Sequence, residues 1–169
     1  MVRRTIGGLL FATMCLLAES GGGISWTVPS GWKAEAARPM RLATYSLGSG
    51  GECAVYNFGA GQGGTVEANL DRWIGQFLQA DGKPSKSAAS IARRHIHGWL
   101  VTTLEISGSY TGMEGPGTKS PAMPDYRMVA AIIEGPKGTV FFKCAGPKKV
   151  ISTNQPAFYR MLASIGPAK

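Results

Sequence analysis

The sequence predicts an α+β domain, a central antiparallel sheet of about six strands flanked by helices. Three observations carry this. Short runs of alternating apolar residues recur between Gly- and Pro-rich turns, the pattern of β-hairpins. Two segments instead space their apolar residues at the helical period. These helical segments are inserted among runs of hairpin-like strands, an order that belongs to an antiparallel sheet with helices packed on it and not to a doubly wound parallel sheet. The chain's 169 residues suffice for one domain with a real core and are too few for two.

The N-terminal segment MVRRTIGGLLFATMCLLAESGGG has a basic start at Arg3 and Arg4, an apolar run from Ile6 to Ala18 and small residues at Ala18 and Ser20. That three-part build is the pattern of a secretory signal peptide, with cleavage expected near Ser20. The apolar run is too short for a stable bilayer span. Cys15 lies inside the run, where a lipidated cysteine would instead follow it. The expectation is therefore residues 1–20 as leader, 21–169 as one domain, and export to the periplasm or the exterior with no transmembrane segment in the mature chain. Removing the leader leaves 16 basic against nine acidic residues, a net of +7. Such a charge favours an acidic protein or an anionic envelope surface as partner, and export sets nucleic acid aside.

Along the mature chain, ISWTVPSGW reads as a short strand and a turn. RPMRLATYSLG alternates Met40, Leu42 and Thr44 with Arg41, Ala43 and Tyr45, and pairs as a hairpin with ECAVYNFG. Val66, Leu70, Trp73, Ile74, Phe77 and Leu78 form one apolar stripe of a helix. Thr65 or Gly64 can cap its start, and Glu67 suits the positive end of its dipole. Residues 85–110 read as two strands, either a hairpin about Gly98 or one bent strand. A loop rich in Gly, Pro and Ser follows over 107–125, long enough to be of functional interest. YRMVAAIIEG and TVFFKCAG flank Pro136-Lys137-Gly138 as a hairpin, its first strand apolar on both faces. Phe158, Met161, Leu162 and Ile165 mark a second helix, with Pro156 in its first turn and Gly166 at its end.

Four chemical signals need weighing. Gly59, Gly61 and Gly64 match the dinucleotide fingerprint G-x-G-x-x-G. The preceding strand belongs to a hairpin, however, and Asp81 falls in a loop where a ribose-binding acid should end the next strand. The glycines read better as a tight strand-to-helix turn. His95 and His97 share a strand face with Arg93, and no nearby Cys, Asp or Glu completes a metal site. Glu52, Glu105 and Glu134 are the only carboxylates on strands, and no G-x-S-x-G elbow is present. No catalytic residue, metal or cofactor is therefore assigned. Cys53 and Cys144 both lie in strands. Export would permit a disulfide between them, and two buried free thiols fit equally well.

W-x-V-P-x-G-W, RPMRLATY, YNFGAGQGGTVEANLDRWIGQF and MVAAIIEGPKGTVFFKCAGP, in that order, resemble exported bacterial proteins of unassigned function with PsbP-like and Mog1-like architecture. Gly61, Gly63, Gly64, Asn69, Arg72 and Trp73 are the most specific part of the likeness. It implies a single domain with a central antiparallel sheet and supplies no catalytic residues. The functional expectation is a non-catalytic envelope binding or assembly protein. Its candidate surface is Gly61, Gly63, Gly64, Asn69 and Arg72 together with Arg93, Arg94, His95 and His97 and the 107–125 loop. The alternative is a small-molecule-binding or hydrolytic site in a cleft beside that loop.

Overall fold

A computed structural model describes residues 18–112 and 121–169. The leader's charged start and most of its apolar run lie outside the described residues. Ala18–Gly21 already forms a strand, β1, paired with β2 (Ile24–Thr27), and β11 (Gly166–Pro167) lies on the other side of β2.

The main sheet has eight strands, not six, all antiparallel. They are β3 (Lys33–Ala34), β4 (Ala43–Gly48), β5 (Gly51–Asn57), β6 (Phe77–Leu78), β7 (Ser90–Ile96), β8 (Trp99–Tyr110), β9 (Met123–Gly135) and β10 (Gly138–Pro147). The spatial order is β3-β4-β5-β10-β9-β8-β6, with β7 also paired to β8. The extra strands are the two-residue β3 and β6, too short to show alternation. The hairpins β4–β5 and β9–β10 are as expected, and β7–β8 is a hairpin and not one bent strand. The 107–125 segment is less of a loop than its composition indicates. β8 runs on to Tyr110 and β9 begins at Met123, so the connection is 111–122, and 113–120 lie outside the described residues.

Helix α1 spans Val66–Ile74. The Thr65 hydroxyl caps it, accepting from the Ala68 N–H at 3.1 Å, with Glu67 in the first turn. The predicted stripe overshoots its end. The chain turns at Gly75, and Phe77 and Leu78 pair with Tyr110 and Ser109 as strand β6. Two strand residues after a turn continued the apolar spacing by coincidence. Helix α2 spans Lys148–Ala163, a turn and more earlier than expected, so Pro156 sits mid-helix and Gly166 belongs to β11. The helix is held by Ile151, Phe158, Met161 and Leu162, all buried.

Side chains alternate across the sheet, and the two faces carry separate cores. Val55, Val129, Ala131, Ile133, Val140 and Phe142 face α2 and the small sheet, where Trp26 packs edge-on to Phe142 and donates to the Tyr45 hydroxyl at 3.0 Å. Cys53 and Cys144 lie directly across from each other on β5 and β10, Cα atoms 3.9 Å apart, and form a disulfide in this core. On the other face, Leu104, Ile106, Met128, Ala130, Ile132 and Phe141 pack under α1. That helix has only nine residues. It leaves the part of this face nearest β5 uncovered.

Candidate functional site

The uncovered half-face forms a cleft. Its floor is low because small residues surround Lys143: in register it stands opposite Ala54 on β5 and Ala130 on β9, with Ala145 further along its own strand. Tyr56, Tyr110 and Tyr126 rise around it with Arg41, enclosing about 310 Å³. An adjoining lobe of about 240 Å³ runs toward α1 and shares Arg41, Tyr56 and Lys143 with the first. Tyr110 and Tyr126 stack with rings 5.7 Å apart and nearly parallel, at 3°.

Three cations converge here. Lys143 projects from the middle of a buried strand, and its Nζ donates to Gln76 Oε1 at 2.7 Å and to the Tyr110 hydroxyl at 3.2 Å. Both partners are uncharged. Among the described residues no carboxylate pairs with it. Burial pushes the ammonium down to about 8, helped by the Arg72 and Arg41 guanidiniums and opposed by Glu52. Arg41 donates to Glu52 Oε1 at 2.6 Å and lies over the Tyr56 ring. Glu52 also accepts from Arg38 at 2.8 Å, so one carboxylate is shared by two guanidiniums. Burial holds the Tyr110 phenol above its ordinary range, with Tyr56 and Glu52 adding to the effect; it is a neutral donor and acceptor at physiological pH.

The residues singled out from sequence are divided by the structure. Asn69 is buried and structural: its Nδ2 donates to the Gly63 and Thr65 carbonyls, both at 2.8 Å, locking the glycine loop to the helix start. Its Oδ1 accepts from Arg72 at 2.5 Å, which aims Arg72 along the rim of the second lobe. Gly63 has φ +90°, and a Cβ there would lie 2.9–3.0 Å from Phe58 and Phe141; a side chain cannot fit. Gly61 and Gly64 instead border a broad depression of about 880 Å³ with Glu67, Arg93 and Glu134. Arg93 is paired there with Glu67 at 2.8 Å. This hollow is larger but open, and its charges are mixed, with Arg93 and Glu67 already paired.

The basic strand does not form one surface. Arg93 and His95 stand across from Thr102 and Leu100 toward the α1 side. Arg94 lies over the Tyr159 ring of α2, and His97 leaves the strand at φ 47°, its Nδ1 against the Ile165 carbonyl. Among the described residues no group of three or more metal-ligating side chains occurs. Two of the three strand carboxylates brace the fold, and Glu134 is exposed. Glu52 serves Arg38 and Arg41, while Glu105 binds Arg127 at 2.6 Å and accepts from Gln155 and Tyr159 of α2 on the opposite face. Trp26, Trp32 and Trp73 are buried in the cores.

Sequence reasoning missed Lys143, Arg41 and the three tyrosines. One signal for Lys143 was visible, a lone cation between Phe142 and Cys144 in an apolar strand. The convergence of the tyrosines depends on register across four strands and had no local signature.

No family model matches the chain, and no curated protein matches it. Among solved structures it is similar to cyanobacterial PsbP from Synechocystis, with TM-score 0.56 and 13% identity over 98% of both chains. A protein of unknown function from Pseudomonas aeruginosa, described as a putative regulator, gives TM-score 0.48 and 11% identity over 91% of this chain and 98% of its own. Among the described residues no helix is long and apolar enough to cross a membrane. The fold is PsbP-like.

Proposed function

We propose that this chain is an exported, non-catalytic binding protein of the cell envelope, and that its ligand is a small anion held by Arg41, Arg72 and Lys143. The observation that carries this reading is the state of Lys143. A half-buried ammonium beside two guanidiniums, with only Gln76 and Tyr110 as partners among the described residues, is unfavourable without ligand. A bound anion relieves it and draws the lysine back toward full protonation. The basic mature chain and the leader-like N-terminus support an envelope setting.

The test is calorimetric titration with inorganic phosphate and with acetate at pH 8, in two buffers of different ionisation enthalpy. Binding should take up protons, and the Lys143→Met variant should lose both the binding and the uptake. Absence of binding by either anion at millimolar concentration would refute the reading.

An enzyme using the same cleft is the second reading. It draws on Gly112, at the start of the 111–122 connection, which lines the cleft. Against it, Glu52 is already held by two arginines.

A further inference from the structure

We propose that the anion recognised here is a carboxylate carrying a compact apolar group, an acyl chain or ring of about six to eight carbons. This rests on the anion reading above and assigns the ligand class. The two lobes of the cleft differ in chemistry. The first is walled by hydroxyls and charge. The second, beyond Arg41, Tyr56 and Lys143, is lined by Pro39, Met40, Phe58, Trp73 and Phe141, with Asn69 and Arg72 at its rim. A carboxylate seated at the shared cations projects its substituent into that aromatic lobe. At roughly 30 Å³ per water-sized group, the 240 Å³ of the lobe hold about eight, the bulk of a short acyl chain.

Two features of the lobe's lip point the same way. Met40 is 77% exposed and Phe58 39% exposed, and they flank one concave site. Single exposed apolar residues are ordinary, but a pair at the mouth of a cationic cleft is a place for an apolar group to enter. Met40 is also held at φ 63° in the turn that the Arg41 N–H closes on the Arg38 carbonyl. A non-glycine residue in the left-handed region is uncommon, and such conformations gather at binding sites. The turn places Met40 over the lobe and Arg41 at its inner end.

The experiment measures affinity for acetate, butyrate, hexanoate, octanoate and dodecanoate, with inorganic phosphate as an anion lacking a tail. Affinity should rise two- to fourfold per methylene, the gain expected for partial to full burial, and level off near eight carbons. Phe58→Ala and Met40→Ala should flatten the rise while leaving acetate and phosphate unchanged. Met40 is 77% exposed and its variant keeps the fold; the Phe58 ring packs on Tyr56 and Phe141, so the Phe58→Ala affinities are compared after its unfolding midpoint is measured. Acetate and phosphate binding with no chain-length dependence would overturn this inference and leave the anion site standing. Failure of all the anions would overturn both.

Discussion

Replacing Lys143 by methionine is expected to stabilise the domain at neutral pH while abolishing anion binding. Lysine titrates near 10.5 when free and Lys143 near about 8 in the fold. At about 1.36 kcal/mol per tenfold change in proton affinity, the folded ammonium costs about 3 kcal/mol at pH 7. Methionine keeps the stem and removes the charge. It also leaves buried Gln76 without its 2.7 Å partner, at a cost of roughly 1–3 kcal/mol. The net gain at pH 7 is therefore about 1 kcal/mol. The pH dependence is the sharper readout. Because the folded state holds this proton less tightly than the unfolded state, the penalty is complete below pH 8 and is relieved as pH climbs toward 10.5. The wild type should gain about 2 kcal/mol on the variant between pH 7 and pH 9.5. Burial raises the Tyr45, Tyr110 and Tyr159 phenols. Their stabilisation is lost only at higher pH, as the unfolded phenols ionise, and for Tyr45 and Tyr159, on the opposite face of the sheet, it is common to both proteins. Urea unfolding at the two pH values measures the difference. A wild-type-to-variant gap that stays constant from pH 7 to pH 9.5 would refute the assignment of Lys143 as a desolvated cation.

Three further outcomes follow from the geometry. The Cys53–Cys144 bond closes a loop with a sequence separation of 91, so Cys53→Ala with Cys144→Ala should lower stability by up to about 4.6 kcal/mol on the chain-entropy account; thermal unfolding with and without reductant tests this, and an unchanged midpoint in the wild type would contradict it. Glu52→Gln frees Arg41 from its carboxylate and should tighten acetate binding several-fold in the titration above, with weaker binding as the contrary result. β1 pairs Ala18–Gly21 with Ile24–Thr27, so a processed chain is expected to retain Ala18 and not to start near Ser20; N-terminal sequencing decides between the two.

The sequence carried what local rules write. Alternation marked the long hairpins, Thr65 marked the start of α1, and the glycines before it marked the strand-to-helix turn. The short strands were invisible because two to four residues contain no period, and Phe77 and Leu78 extended a helical stripe that Gly75 had already ended. The site was illegible for a different reason. Asn69 and Arg72 were singled out together as candidate surface, but only packing reveals that one is a brace and the other lies along the second lobe. Lys143 acquires its meaning from Ala54 and Ala130, residues brought beside it by pairing with β5 and β9.

The small sheet has a consequence for how the domain is mounted. β1 and β11 flank β2, with Ala18 opposite Thr27 and Pro167 opposite Ile24, so Ala18 and Pro167 lie roughly 14 Å apart at ordinary strand spacing and rise. Both stand on the α2 side, and the cleft opens on the other. An attachment made at β1 or β11 therefore enters at one pole of the domain and leaves the opposite pole clear. The ends are near enough to be joined by a short linker, and the chain could be reopened at the Gly98 turn with every strand pair retained. A permutant of this kind would separate the order of the sequence from the architecture that shapes the cleft.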